Sequence, residues 1–352
     1  GVSVITLAHL RRMLTFLLGL FEARREAAIP IAAEVARWAR EIRDVLEERP
    51  ARTLPGTRGD RDRWDMMAAL GASFTRYRAC VYDQGFSHTE PFAVADAIAL
   101  LQAALEHTNQ ALDTNRRDDG LHHAYNVLEF ANDRGSVRVH RLPEMLEGQV
   151  AALTSGGVTP EQAVHLLDSL FASRLYRADQ DSFMLAPERE LPGFLDMNIV
   201  PAAAVLAVPL LRDMLTAGDP ALVTRDASGV HRFAADFVNA EALSVALDRL
   251  AGDPRRHDAV SRDRAAVLDL YETVFRHHSF LGRSCTMYGY EGIGSVYWHM
   301  VSKLLLAVQE MVFRAEREQA PAAVREALAR HYERVRGGLG FERSAESYGA
   351  FP

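Results

Sequence analysis

The chain has 352 residues, 48% hydrophobic and 25% charged, a composition that buries a large core and excludes general disorder. A net charge of −7 and a pI near 6.0 give no global attraction to nucleic acid or to an anionic membrane. Cys80 and Cys285 are far apart and fit no zinc, redox or disulfide spacing.

Helical periodicity and helix punctuation dominate, and they predict about twelve helices. The first two span 4–27 and 31–48, with Pro30 at the start of the second, where a missing N–H costs nothing. After the polar stretch Arg49 to Asp60 come helices at 61–84 and 90–114, then shorter ones at 120–130 and 143–154. The segment Thr159-Pro160-Glu161-Gln162 is a capping box with proline at the first helical position, opening a helix to about 172. Further helices are expected at 201–217, 239–251, 257–277, 292–318 and 321–336, the last closed by Gly337-Gly338.

Strand signal is sparse. Val137 and Val139 alternate in GSVRVHRL, and 222–233 reads as a hairpin around Ala227-Ser228-Gly229. The most apolar runs, Met13 to Phe21 and Ile199 to Leu211, are shorter than the ~20 residues of a membrane helix, so no membrane span is expected. No repeat or linker divides the chain. The pattern suits an all-α, (α/α)6 toroid of about twelve helices with small β-hairpin decorations, and also an irregular helical array; the toroid is the favoured expectation, as a single soluble domain over 1–352. The missing initiator Met and the ending YGAFP suggest a piece cut from a larger protein. No leader is visible, and a cytoplasmic location is favoured.

Four segments carry candidate chemistry. Arg116 to Asn126 is a polar stretch in which Asp119, His123, Tyr125 and Asn126 offer hydrogen bonds to a substrate. The adjacent His122 and His123 point in different directions from a helix, so no metal pair is expected. Glu144 and Glu147 lie three apart, able to share a helix face for acid/base work; a solvated helix face is the plainer reading. The irregular stretch Ser173 to Asn198 mixes aromatics with Arg177, Asp179 and Gln180, the mixture a sugar site uses, and competes with an ordinary loop pinned by its aromatics.

The strongest constellation is Arg283 to Lys303. Glycines at 289, 292 and 294 let the backbone approach a ligand at a helix start, but in an order that fits neither a dinucleotide fingerprint nor a phosphate-binding P-loop. Glu291 sits there among aromatics. Ser295, His299 and Ser302 or Lys303 recur at helical spacing as one polar stripe, against which stands the reading of a satisfied core histidine and an N-cap serine. Lys303 is the only lysine in the sequence, a mild flag for a specific role.

The phrases MYGYEGIGSVYWHMVSKLLLAVQE, DDGLHHAYNVLEF, LPEMLEGQVAAL and YRADQDSFMLAPERELPGFL resemble those of large bacterial proteins similar to six-hairpin glycosidases, over residues 110–352. The resemblance implies an (α/α)6 toroid and an oligosaccharide or polysaccharide substrate. It carries over no reaction.

The leading expectation is an enzyme of carbohydrate metabolism that cleaves glycosidic bonds, as a hydrolase or a phosphorylase. Inverting hydrolysis needs an acid and a base about 6.5–9.5 Å apart. Glu291 is the candidate acid and Glu147 or Asp179 the base, with Arg177, Tyr290, Trp298 and His299 positioning the sugar. A phosphorylase replaces the base with a cation-lined phosphate pocket, for which Arg177, Arg283 and Lys303 are available. Two alternatives stand beside this: a noncatalytic carbohydrate-binding or scaffolding module, and an epimerase or lyase using His123 or His299 with a tyrosine. No metal or cofactor is expected; nor is nucleic acid or a membrane as a partner.

Overall fold

The computed structural model describes residues 2–49, 59–131, 135–187, 193–277, 280–281, 287–288 and 296–341. Helix dominates among the described residues, and the sheets are small. The chain divides into two compact units, Gly1–Glu188 with Gly292–Pro352, and Arg189–Glu291.

The first unit opens with β1 (Val2–Ser3) and α1 (Val4–Glu22), started by the Ser3 hydroxyl, which accepts from the Thr6 N–H at 3.1 Å. Next come β2 (Ala28–Ala32), α2 (Ala33–Glu48), α3 (Asp60–Gln84), β3 (Thr89–Ala93) and α4 (Val94–Asp113). The expected helix start at Pro30 gives way to a strand: β2 pairs antiparallel with β3, setting Pro30 opposite Pro91 in a two-stranded ribbon. Such a ribbon has two free edges, which tolerate the missing N–H of each proline, so both following helices begin later than expected.

The helix expected at 120–130 is also a strand, β4 (Tyr125–Phe130), held between β1 and β5 (Val137–Arg141). Gly120, at φ +84°, turns the chain so closely against Ser169 that a Cβ would lie 2.5 Å from its hydroxyl. The alternation at Val137 and Val139 does form strand, pairing Val137 with Phe130 and Val139 with Leu128. Then α5 (Leu146–Thr154) and α6 (Pro160–Ala172) follow; α6 starts on the expected capping box, Thr159 accepting from the Gln162 N–H at 3.2 Å and Gln162 from Thr159 N–H at 3.0 Å. Two short strands, β6 (Tyr176–Arg177) and β7 (Ser182–Phe183), form a hairpin within the stretch expected to be irregular.

The second unit contains α7 (Phe194–Met197), followed by α8 (Ala202–Ala207) and α9 (Pro209–Thr216), which stand in place of the one helix expected over 201–217. Pro209 cannot continue α8 and instead starts α9. The expected hairpin is present as β8 (Val223–Arg225) and β9 (His231–Phe233). Then α10 (Ala240–Ala251), capped by Asn239, packs with α11 (His257–Phe275). Their core centres on Tyr271 and Phe233, ring centroids 5.0 Å apart, and the Tyr271 hydroxyl donates to the Phe237 carbonyl at 2.9 Å. A two-residue pair, β10 (Phe280–Leu281) with β11 (Met287–Tyr288), completes the unit.

The chain returns to the first unit as α12 (Trp298–Arg317) and α13 (Ala322–Arg336), ending in a π turn at Gly337–Phe341. Met300, Val301, Leu304, Val308 and Met311 are buried along one side of α12, which packs on α5, α6 and α13.

One helix departs from the membrane expectation. Among the described residues, α1 alone is long and apolar enough to cross a bilayer, with a mean hydropathy of 1.5 over 18 residues. Judging by uninterrupted apolar runs missed it, because the helix continues through Arg11 and Arg12. Both arginines bind within the unit, Arg11 to Asn109 at 2.6 Å and Arg12 to Glu310 at 2.9 Å, and Val4, Ala8 and Leu14 are buried.

Candidate functional site

Three of the segments singled out in the sequence meet at one place in the first unit. The Leu146 N–H, at the start of α5, donates to the Leu185 carbonyl at 2.9 Å, which sets that helix end beside the segment just after β7. Its neighbour Met184 forms an antiparallel bridge with Val296, two residues before α12 begins. Met184 and Leu185 thereby join the α5 start, the β6–β7 hairpin and the α12 start.

At the α5 start, Glu147 lies in the first helical turn, half-buried, where the helix dipole favours a negative charge. The Tyr125 hydroxyl donates to its carboxylate at 2.6 Å. Glu144 does not share this helix face, because the helix begins only at Leu146. It is instead held before the helix, 5% exposed, between Arg174 at 2.9 Å and Arg117 at 3.3 Å. Burial pushes its carboxyl up, but a backbone hydrogen bond and the two arginines outweigh this, leaving it below the ordinary range.

A depressed carboxyl contributes stability above its unfolded value and loses it as the pH falls through the folded one. The melting temperature should therefore drop on acidification below about pH 4.5, the ordinary value for this group. Glu144→Gln should flatten that acid limb, and an unchanged slope would remove Glu144 from the account.

Asp119 is tied to the same network, gripped by Arg117 with contacts down to 2.7 Å, and that hydrogen bond chiefly lowers its pKa. His123 is buried and its Nδ1 donates to the Leu142 carbonyl at 2.8 Å, which fixes the proton on that nitrogen. Asn126 is buried and donates to Asn115 at 2.9 Å. Gln149, fully buried, clamps the neighbouring chain: its amide oxygen accepts from the His122 N–H at 2.8 Å, and its nitrogen donates to the His122 and Met145 carbonyls at 2.9 Å each.

On the hairpin, Arg177 grips Asp179 with two 2.8 Å bonds, which hold the Asp179 carboxyl down to about 2. Gln180 contacts the same carboxylate at 3.5 Å. Arg177 also approaches the Met184 sulfur at 3.9 Å. The hairpin is braced from α13, where the Arg334 guanidinium stands 3.8 Å over the Phe171 ring and 5.3 Å over Tyr176. Gly338 presses on the hairpin turn so closely that a Cβ would fall 2.0 Å from the Asp181 carbonyl oxygen.

At the α12 start Trp298 is half-buried, while His299, Ser302 and Lys303 lie on the exposed side of the helix. Arg283, Tyr290, Glu291 and Ser295 lie outside the described residues. The structure therefore brings together Tyr125 with Glu147, Asp119 with Glu144 through Arg117, and Arg177 with Asp179 and Gln180. Sequence reasoning missed Arg117 and Arg174 as partners of Glu144; both lie within segments already singled out, Arg116 to Asn126 and Ser173 to Asn198, but nothing in the sequence links either to Glu144.

Residues 191–278 match the family profile of GH149 phosphorylase insertion domain 2. The matched residues fall entirely within the second unit, Arg189–Glu291. The match relates the chain to glycoside hydrolases and phosphorylases. No curated protein matches the chain.

Proposed function

We propose that the chain is a catalytic part of a glycoside phosphorylase, in which inorganic phosphate replaces water in cleaving a glycosidic bond. The carrying observation is the coincidence of the second unit with a phosphorylase insertion domain. On this reading the first unit's helices belong to an (α/α)6 toroid, and its face at the α5 start, the β6–β7 hairpin and the α12 start receives the sugar.

Chemically, a phosphate oxygen attacks the anomeric carbon while the bond to the leaving oxygen breaks, and an acid protonates that oxygen. Glu291 remains the proposed acid. Arg177 is the proposed phosphate ligand, together with Arg283 and Lys303, since a guanidinium fork suits a phosphate's oxygens. Glu147, oriented by Tyr125, would hold sugar hydroxyls alongside Trp298 and His299. Asp179 is poorly suited to be a base, because a carboxyl held near 2 gains a proton reluctantly at neutral pH.

Hydrolysis is the second reading, favoured by the half-buried position of Glu147 in the first turn of α5, where it would activate water as the base. One assay separates the two. A panel of oligosaccharides is incubated with the protein with and without inorganic phosphate, and sugar 1-phosphate and free sugar are quantified. Phosphorolysis gives sugar 1-phosphate only when phosphate is present; free reducing sugar without phosphate would establish hydrolysis. Turnover of neither kind on the panel would return the chain to the class of binding modules.

A further inference from the structure

At the opposite end of α5 from Glu147, the first unit holds a cavity of about 290 Å³. Its walls include Arg11 from α1, Asn109 and Asp113 from the end of α4, Arg116 and His122 from the turn that follows, and His165 from α6. The loop after α5 forms the floor. Gly156 and Gly157 approach Arg11 so closely that a Cβ on either would sit 3.0 Å from a guanidinium nitrogen.

The charge in this cavity is unbalanced. Arg11 donates to the Asn109 amide oxygen at 2.6 Å and to the Ser155 carbonyl at 2.9 Å, neither of which carries a charge. Its pKa is lowered first by burial and next by Arg314, which binds the same loop through the Gly156 and Val158 carbonyls. Asp113 offsets this only in part. Neither Arg11 nor Arg116 is in an ion pair within 4 Å among the described residues, while Arg117, the next residue along, is bound to two carboxylates. A partly desolvated guanidinium with no carboxylate against it gains from an anion.

The remaining polar groups suit hydroxyls. His122 is largely buried, and burial, with Arg116 and His123, lowers its pKa to about 4. At neutral pH the ring is therefore uncharged, and it can exchange hydrogen bonds with a hydroxyl without adding to the anion site. The volume lies at the lower edge of small-molecule pockets, about 300 Å³, which admits one sugar ring and not an oligosaccharide.

We propose that this cavity is a second ligand site that takes a monosaccharide phosphate, its phosphate against Arg11 and Arg116 and its hydroxyls on Asn109, His122 and His165. Along α5 the cavity is lined by Ala152 and reaches Ser155 just past the helix end, five and eight positions from Glu147 or about 7.5 and 12 Å, and Glu147 is not part of its lining, so the two are separate sites. Gln149 connects them mechanically, since it grips the backbone of His122 from within α5. The ligand is of the class that phosphorolysis releases, so the site would register product; binding itself is measurable without turnover and does not depend on the phosphorolysis reading.

The test is calorimetric titration of the full chain in an Arg177→Ala background, which silences the phosphate ligand proposed for the reaction. Glucose 1-phosphate, glucose 6-phosphate, glucose and inorganic phosphate are the probes. A sugar phosphate should bind one to one, with glucose and phosphate each at least about tenfold weaker, and adding Arg116→Ala should weaken it by about tenfold or more. Arg116 is exposed, and an unchanged melting curve would show that the fold survives. If it does not survive, His165→Ala on the exposed side of α6 carries the same test with a smaller loss. Absence of heat, equal binding of inorganic phosphate, or undiminished affinity in the folded variant would each overturn the site.

Discussion

Replacing Gln149 by leucine should destabilise the protein by about 2–5 kcal/mol, because it leaves two buried backbone groups without partners. The side chain is 0% exposed and occupies a helix position where an aliphatic residue would ordinarily pack. Its amide instead completes the hydrogen bonding of the His122 N–H and C=O, which α5 approaches too closely for water to replace it. Gly148 marks that closeness, since a Cβ there would lie 2.9 Å from the His122 carbonyl oxygen. Leucine has nearly the same volume but no polar atoms, so the loss is of hydrogen bonds and not of packing. A thermal melt should shift downward by roughly 4–20 °C at about 2–4 °C per kcal/mol for a unit of this size. An unshifted melt would mean that the His122 groups find other partners.

Sequence reasoning succeeded where the deciding interaction is local. The Thr159–Gln162 box closes on itself within four residues and places the start of α6 unaided. The β8–β9 hairpin likewise turns at Asp226–Gly229, where Asp226 accepts from the Ser228 and Val230 N–H groups at 2.9 Å each.

It failed where partners come from afar. Leu121, Ala124 and Leu128 have helical spacing, yet Tyr125–Phe130 becomes β4 because β1 and β5 pair with it on either side. Pro30 satisfies the local rule for a helix start, and the pairing with β3, some sixty residues away, overrides it. The Glu144 and Glu147 pair failed for the same reason. Three-residue spacing implies a shared face only inside a helix, and Arg117 and Arg174, reaching Glu144 from 27 and 30 residues away, hold it outside one. The meeting of three candidate segments at Met184 and Leu185 depends on one backbone bond and one bridge, neither of which has a sequence signature.

Substitutions at Arg177 and Asp179 should move phosphate use in opposite directions. The two side chains are 40% and 55% exposed, and an ion pair so open to water exchanges partners at little cost. Phosphate offers Arg177 the same bidentate geometry with more charge, so on the phosphorolysis reading Asp179 is the occupant that phosphate displaces. Arg177→Ala should then raise the KM for phosphate by about ten- to a hundredfold, the loss expected for a charge-assisted bidentate contact, with a smaller change in kcat. Asp179→Asn removes the competing charge while preserving shape, and should lower the KM for phosphate. A hydrolytic enzyme with Asp179 as its base would respond differently, losing kcat in Asp179→Asn and showing no phosphate dependence at all. If both substitutions raised the KM for phosphate, Asp179 would be part of the site and not its competitor, and Arg177 would bind the anion only as one half of that pair.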